Sequence, residues 1–158
     1  LEQLGYQSEN ALWRNMYLTA AMELRNGVPA AGTGSVRTDL VKAMSPSMFF
    51  DFLAVRLDSE KAEGHDMVMN WVFDDLQERY ALTLRNGVLT HRNQQLAPKP
   101  DLTVKLSKAT LDRISLRQLD FPTAIKQGDI RLDGAAGKLG QFLGMIDSFA
   151  PQFNVVTP

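Results

Sequence analysis

The sequence of 158 residues contains no cysteine, and its formal net charge is −1. Without cysteine, the chain has neither a disulfide framework nor a thiolate metal site. Lysine and arginine are scattered along it, so the charge pattern does not indicate a nucleic-acid or anionic-lipid surface. There is no run of about 18 apolar residues, so we predict no membrane-spanning helix. The lack of cysteine does not indicate a cellular compartment, because cysteine-free proteins occur in oxidising and in reducing environments.

The chain contains enough apolar residues to form a hydrophobic core. Hydrophobic residues make up 44% of the sequence and charged residues 22%, a composition typical of one globular domain. The chain starts at Leu1 without a methionine, so we expect it to be part of a longer protein.

The first predicted element is a helix over residues 8–26, with Ser8 as its N-cap and Gly27 at its C-terminus. Its apolar residues form one broad stripe: Leu12, Trp13, Met16, Tyr17, Ala20, Met22 and Leu24. This stripe either packs on the chain's own body or docks onto a preceding domain or a second subunit. Residues 28–35 are small or are proline and glycine, which predicts a linker and a domain that begins at residue 36.

A sheet is predicted in the middle of the chain. Apolar residues alternate at Met67, Met69, Trp71 and Phe73, and Asn86-Gly87 between two further strand patterns indicates a hairpin. Strands are also predicted at residues 102–106 and between the dipeptides Gly128-Asp129 and Asp133-Gly134. The element order predicts an α+β fold: a mainly antiparallel five-stranded sheet with helices packed on one face, preceded by a separate N-terminal helix.

Two helices are predicted to cover this sheet. One opens at Ser45-Pro46, and its buried stripe is predicted to be Met48, Phe49, Phe52, Leu53 and Leu57. The closing helix spans residues 136–149, and its apolar stripe at i, i+3, i+4 and i+7 is Leu139, Phe142, Leu143 and Ile146. Such a stripe must be covered by the sheet, or by the sheet and an apolar guest.

The polar residues form no catalytic or metal motif. His65 and His91 lack His-x-His spacing and a third ligand, so we predict ordinary surface or edge-strand histidines. No serine, Ser47 included, lies in a Gly-x-Ser-x-Gly elbow. We therefore assign no catalytic residue, metal ligand or cofactor within this chain, and we do not expect the chain alone to be an enzyme.

The apolar residues support a binding hypothesis instead. The chain has seven methionines, eight phenylalanines and two tryptophans, and methionine is well suited to adaptable apolar cavities. Five methionines fall on elements predicted to face each other: Met44, Met48, Met67, Met69 and Met145. These side chains either fill the core or line a pocket for an alkyl chain or another lipid-like molecule.

Three stretches carry a family resemblance. Residues 127–134 (Gln-Gly-Asp-Ile-Arg-Leu-Asp-Gly) and the helix after them resemble the closing strand and helix of sterol-carrier-protein-like lipid-binding domains. Residues 148–158 (Ser-Phe-Ala-Pro-Gln-Phe-Asn-Val-Val-Thr-Pro) resemble the C-terminal end of alkyl sulfatases. Residues 1–25, beginning Leu-Glu-Gln-Leu-Gly-Tyr, are similar to the end of the helical dimerisation domain of those enzymes.

The resemblance implies a place for this chain in a larger enzyme. Alkyl sulfatases of the metallo-β-lactamase superfamily join a domain with two zinc ions to a dimerisation domain and a sterol-carrier-like domain, and they hydrolyse alkyl sulfates such as dodecyl sulfate. By resemblance, residues 1–27 are the terminal helix of the dimerisation domain, 28–35 a linker and 36–158 the sterol-carrier-like domain. The His-x-His-x-Asp-His zinc motif is absent from this sequence. Two zinc ions are therefore expected in a catalytic domain outside it.

The parent protein is expected to be a homodimer in which this chain contacts the catalytic domain, and a periplasmic or secreted location is compatible with it. We predict that residues 36–158 bind the apolar tail of the substrate without catalysing the reaction. The predicted lining residues are Phe49, Phe52, Met69, Trp71, Leu139, Phe142, Leu143 and Ile146. The alternative is a purely structural or assembly domain with a filled core and no ligand.

Overall fold

The computed structural model describes residues 1–28, 38–148 and 154–156, which fall into two compact units. The first unit comprises residues 1–28 and 154–156, and the second comprises residues 38–148. The predicted linker lies outside the described residues apart from Val28, and so does the predicted end of the closing helix at residue 149. No helix within the described ranges is long and apolar enough to cross a membrane.

The first unit contains two helices, α1 (Glu2–Gln7) and α2 (Ala11–Asn26). The predicted start of a single helix at Ser8 is wrong, because Ser8 ends α1 and Asn10 caps α2. The Asn10 side-chain oxygen accepts hydrogen bonds from the backbone N–H groups of Leu12 and Trp13, which satisfies donors that the first turn leaves unpaired. Gly27, at a φ of 76°, ends α2 as predicted.

A buried carboxylate on α2 holds the described C-terminal residues. Glu23 is buried, and its two carboxylate oxygens accept hydrogen bonds from the backbone N–H groups of Val155 and Val156 at 2.7 and 3.4 Å. Burial of a carboxylate is costly unless it is hydrogen-bonded. The bonds therefore attach residues 154–156 to the helix on which Glu23 lies, although the predicted domain boundaries place these residues with the sheet.

The second unit is built on a five-stranded sheet with the strand order β3-β2-β1-β4-β5. The strands are β1 (Met67–Phe73), β2 (Glu78–Arg85), β3 (Val88–Asn93), β4 (Leu102–Leu106) and β5 (Ile130–Gly134). Neighbouring strands are antiparallel except β1 and β4, which pair in parallel with Trp71 opposite Val104. The predicted mainly antiparallel five-stranded sheet is confirmed, and it is mixed because of this one pair.

The second unit also contains helices, several of which begin at residues that favour capping. They are α3 (Thr38–Ala43), α4 (Pro46–Val55), α5 (Ser59–Ala62), α6 (Lys108–Ser115), α7 (Phe121–Gln127) and α8 (Gly137–Gly144). The Ser45 hydroxyl accepts from the Met48 N–H at the start of α4, and Asp120 accepts from the Thr123 N–H at the start of α7. Gly128 ends α7 in the left-handed conformation. The start of α4 at Ser45 agrees with the sequence analysis.

The core is centred on Phe50, which lies on α4. Its side chain is fully buried, and its ring centroid lies 5.4 Å from that of Trp71 and 5.1 Å from that of Tyr80. The ring of Phe73 lies 6.3 Å away. Edge-to-face and tilted aromatic pairs at these distances contribute stability beyond the apolar area that they bury.

The stripe predicted for α4 is therefore partly wrong. Leu53 is buried, but Met48 and Phe52 are exposed, and Phe50 faces the sheet instead. Residues 46–55 are almost entirely apolar, so the periodicity does not determine which face of the helix turns inward. The aromatic side chains on β1 and β2 determine it.

The closing helix is shorter than predicted. Helix α8 ends at Gly144, and Ile146 lies beyond it in an isolated antiparallel bridge with Leu57. Leu139 and Phe142 are buried on the inner side of α8, whereas Leu143 is partly buried.

Two glycines provide a matched test of this architecture. Gly134 has a φ of 106°, and an added Cβ would lie 2.6 Å from the Asp101 carbonyl oxygen, so we expect Gly134→Ala to destabilise the fold by about 1–3 kcal/mol. Gly140 lies inside α8 with open space around it, so Gly140→Ala should stabilise by about 0.5–1 kcal/mol. Urea unfolding midpoints measure both effects. Equal midpoints for the two variants would contradict the described β4–β5 geometry.

Candidate functional site

The eight residues predicted to line an alkyl-chain site are divided between the core and the surface. Four of them are buried together in the hydrophobic core: Met69, Trp71, Leu139 and Phe142. Phe49, Leu143 and Ile146 are partly buried and pack against that core. Phe52 is exposed, and the Arg56 guanidinium lies over its ring at 5.2 Å from the centroid. The structure therefore does not bring all eight residues to one surface.

Trp71 lies in the middle of the packed region. It is on β1, between Tyr80 of β2 and Val104 of β4, and its ring meets that of Phe50 at an interplanar angle of 71°. Its indole N–H is buried without a hydrogen-bond partner in the described part of the chain. An unmade bond of this kind costs about 1–3 kcal/mol. Between α4 and the sheet, Trp71 thus lies in a buried hydrophobic core that contains an unsatisfied donor.

An open groove lies beside α8, where this helix meets the connection between α6 and α7. Its volume is about 460 Å³. The lining residues are Ile114, Arg117, Gln118, Leu119, Asp120, Phe121, Pro122 and Leu143. The apolar ones Ile114, Leu119, Phe121 and Leu143 are partly buried and pack against the core, so the walls of the groove extend from it. Of the eight predicted residues, Leu143 lines this groove.

Local turn geometry forms the groove. After α6, Arg117 adopts a left-handed backbone with a φ of 57°, and its N–H donates to the Ile114 carbonyl oxygen at 2.9 Å. The chain then enters α7 at Asp120, which caps the helix, and Pro122 lies in the first turn. This tight reversal sets Leu119 and Phe121 next to Leu143. A left-handed non-glycine residue costs about 1–3 kcal/mol, and such strain is concentrated at functional sites.

The charges at the groove are Arg117, which is exposed, and Asp120. Hydrogen bonds from the backbone N–H and side chain of Thr123 lower the pKa of Asp120 below its ordinary value. The carboxylate is therefore ionised at neutral pH and already bonded to α7. The remaining wall is largely apolar, which suits a hydrocarbon chain.

The described residues do not provide a metal site. Within residues 1–28, 38–148 and 154–156, no three His, Cys, Asp or Glu side chains are grouped as metal ligands. A zinc centre does not fit the side chains within these ranges.

The sequence analysis missed a polar cluster that joins α4 to β3. The Ser47 Oγ lies 3.0 Å from the His91 Nε2, and the Asp51 Oδ1 lies 3.6 Å from the His91 Nδ1. We expected His91 to be an ordinary edge-strand histidine. The signal in the sequence is the spacing of Ser47 and Asp51, which puts both on one face of a helix; the position of His91 depends on how α4 packs on β3.

Comparison with known families gives matches at both ends of the chain. The family model "Alkyl sulfatase dimerisation" matches residues 1–27, and the family model "Alkyl sulfatase C-terminal" matches residues 34–158.

Curated relatives match along the whole chain. It is 61% identical over 158 residues to an "(R)-specific secondary-alkylsulfatase" of Pseudomonas sp and 44% identical over 159 residues to a "Linear primary-alkylsulfatase" of Pseudomonas sp. It is 38% identical over 158 residues to the "Alkyl/aryl-sulfatase BDS1" of Saccharomyces cerevisiae. Each match covers 24% of the relative, so the chain spans about a quarter of the length of these proteins.

Solved structures resemble the chain at two levels. The stereoselective inverting sec-alkylsulfatase Pisa1 from Pseudomonas sp. shares 62% identity with a TM-score of 0.80, over 96% of this chain and 24% of that one. The UbiJ-SCP2 ubiquinone synthesis protein shares 16% identity with a TM-score of 0.51, over 68% of this chain and 93% of that one. The second likeness shows that the fold is of the sterol-carrier-protein type.

The lowered pKa of Asp120 predicts a pH-dependent contribution to stability. Its folded-state pKa is depressed, so the carboxylate stabilises the fold above its unfolded-state pKa, and this contribution is lost as the pH falls through the folded-state value. Asn can also cap α7 but does not titrate. The thermal midpoint of the unchanged protein should exceed that of Asp120→Asn at pH 7, and the difference should shrink below about pH 4.

Asp133→Asn, which removes an exposed carboxylate from β5, controls for the loss of a charge. An Asp120→Asn difference that stays constant from neutral to acid pH would contradict the assignment.

Proposed function

This chain belongs to the alkyl sulfatase C-terminal family, and on that basis we propose that it binds the apolar tail of an alkyl sulfate for a sulfuric ester hydrolase. The substrate class is long-chain alkyl sulfates such as dodecyl sulfate. In this proposal, the hydrolysis and its two zinc ions belong to a catalytic domain outside the chain. The observation that carries the proposal is the apolar groove between α8 and the α6–α7 connection.

The size and walls of the groove support this role. Ligand clefts in proteins measure about 300–1,000 Å³, and this groove of about 460 Å³ lies in that range. Burial of hydrocarbon is worth about 0.8 kcal/mol per methylene. Because Ile114, Leu119 and Leu143 already pack against the core, the tail would meet preformed walls and little ordering would be required on binding.

Binding of the tail in the groove would raise the affinity of the enzyme for its substrate. The tail is chemically unchanged between the bound substrate and the transition state, so its contacts stabilise both equally. Such uniform binding lowers KM and leaves kcat unchanged. The groove would therefore concentrate hydrophobic substrates at the enzyme without taking part in the cleavage step.

The eight predicted residues have different roles in this proposal. Leu143 contacts the tail, because it lines the groove. The buried residues Met69, Trp71, Leu139 and Phe142 belong to the core against which the groove walls pack. Phe49, Phe52 and Ile146 are not lining residues of the groove, and we propose no direct tail contact for them there.

A second candidate function is assembly without a ligand. The close packing of buried side chains around Phe50 and Trp71 favours it, since these residues already cover one another. The two candidates differ at the groove: a structural domain would tolerate a polar residue at position 143 without any change in substrate affinity.

The first unit supports a role in assembly that is compatible with either candidate. Its helix α2 exposes large apolar side chains: Leu12, Trp13, Met16, Met22 and Leu24. An apolar surface of this kind is typical of a protein interface, and residues 1–27 match the alkyl sulfatase dimerisation family. We propose that this surface is buried in a homodimer of the full-length protein.

Substitution of a groove residue tests tail binding. In the full-length protein, Leu143→Asp should raise KM for dodecyl sulfate about tenfold, which corresponds to the loss of about two buried methylenes, and should leave kcat unchanged. The matched control is Ile125→Asp, at an exposed position on α7 outside the groove. Steady-state kinetics and circular dichroism are measured together. An unchanged KM in a folded Leu143→Asp protein would favour the assembly candidate.

Adjacent positions on α2 test dimerisation. Met16→Asp places a charge on the proposed interface and should weaken the dimer at least about tenfold, because it removes an apolar contact and buries a carboxylate. Asn15→Asp, at the neighbouring exposed position, introduces the same charge without loss of an apolar side chain. Sedimentation velocity over a concentration series gives both dissociation constants. Equal constants would exclude Met16 from the interface.

A further inference from the structure

The polar cluster between α4 and β3 combines a nucleophile, a base and a carboxylate. The Ser47 Oγ lies 3.0 Å from the His91 Nε2, which is hydrogen-bonding distance, and the Asp51 Oδ1 lies 3.6 Å from the other ring nitrogen. In serine hydrolases the histidine takes the serine proton, and the carboxylate orients the imidazole and stabilises its cation. The proposed alkyl sulfatase role uses none of these three residues.

The fold holds the three groups in this order. Ser47 and Asp51 are four residues apart on α4, so they lie one turn apart on one helix face. Helix α4 packs on β3, and this places the imidazole of His91 against both of them. The rings of Phe50 and Tyr80 lie 5.8 and 6.0 Å from the imidazole, and the His91 side chain is 16% exposed. The imidazole is therefore largely buried and packed beside two aromatic rings.

The position of Ser47 favours charge development at its oxygen. It is the second residue of the ten-residue helix α4, where the helix dipole stabilises negative charge. The backbone N–H of Ser47 has no acceptor within the helix. Such a backbone donor is the type of group that stabilises a tetrahedral intermediate.

We propose that Ser47 is an activated nucleophile and that this site hydrolyses carboxylic esters that have a small acyl group and a good leaving group. As the Ser47 Oγ bonds to the carbonyl carbon, its proton passes to the His91 Nε2. The carbon–oxygen bond to the leaving alkoxide then breaks, and His91 returns the proton to that oxygen. Water attacks the acylated serine with His91 again as base, which releases the carboxylic acid and restores Ser47.

Covalent labelling tests the nucleophile directly. The full-length protein is treated with a fluorophosphonate probe, and the modified residue is assigned by mass spectrometry. We expect modification of Ser47, its absence in Ser47→Ala, and a labelling rate about 10²-fold or more lower in His91→Gln. Ser59→Ala removes an exposed serine from α5 and should leave the label on Ser47.

Hydrolysis of p-nitrophenyl acetate tests turnover. The Ser47-dependent rate is the difference between the hydrolysis rates of the unchanged protein and Ser47→Ala. Asp51→Asn should lower this rate, and the substitution changes an exposed side chain that does not belong to the core. Ser47→Cys distinguishes activation from a structural role: its alkylation by iodoacetamide should be faster than that of a small free thiol and should slow when His91→Gln is added. Circular dichroism is measured for each variant.

An unlabelled Ser47 in the folded protein would overturn the proposal, and so would a labelling rate that His91→Gln leaves unchanged. The cluster would then be a hydrogen bond that fastens α4 to β3. In that case Ser47→Ala would lower the thermal midpoint and change no ester hydrolysis rate.

Discussion

The contact of Phe50 with the aromatic face of the sheet is the interaction on which the second unit depends. This one ring meets Trp71 and Tyr80, and it fixes both the position and the rotation of α4. A rotation of the helix by one residue is about 100°, enough to exchange Phe50 for Phe49. The same rotation would separate Ser47 and Asp51 from His91. Packing that is purely apolar therefore determines the geometry of the polar cluster.

Local signals in the sequence predicted much of this fold. Alternation identified the strands, and Asn86-Gly87 forms the expected hairpin turn with both residues at positive φ. The buried face of α4 was not predictable, because the helix carries apolar residues on most of its sides. Only tertiary contacts with the sheet select Phe50 as the inward residue. The end of α8 was missed for a related reason: Ile146 continues the helical period, but it pairs with Leu57 in an isolated antiparallel bridge outside the helix.

The candidate site, like the fold, could be predicted only in part from the sequence. Family resemblance suggested an alkyl-chain site, and periodicity identified residues able to line it, but a filled core and an open groove produce the same apolar pattern. The groove depends on backbone geometry, with Arg117 in the left-handed region and Asp120 capping the next helix. Neither feature belongs to the apolar pattern, which is why Leu119 and Phe121 were not among the predicted lining residues.

The bonds between Glu23 and the backbone of Val155 and Val156 have a consequence for the order of folding. These valines are synthesised after every residue of the sheet unit, so the carboxylate on α2 cannot obtain these two donors until that unit has left the ribosome. During synthesis Glu23 therefore lacks two of its final contacts, and water must solvate the carboxylate in their place. Helices α1 and α2 thus belong to a unit that is completed only after the sheet unit has been synthesised.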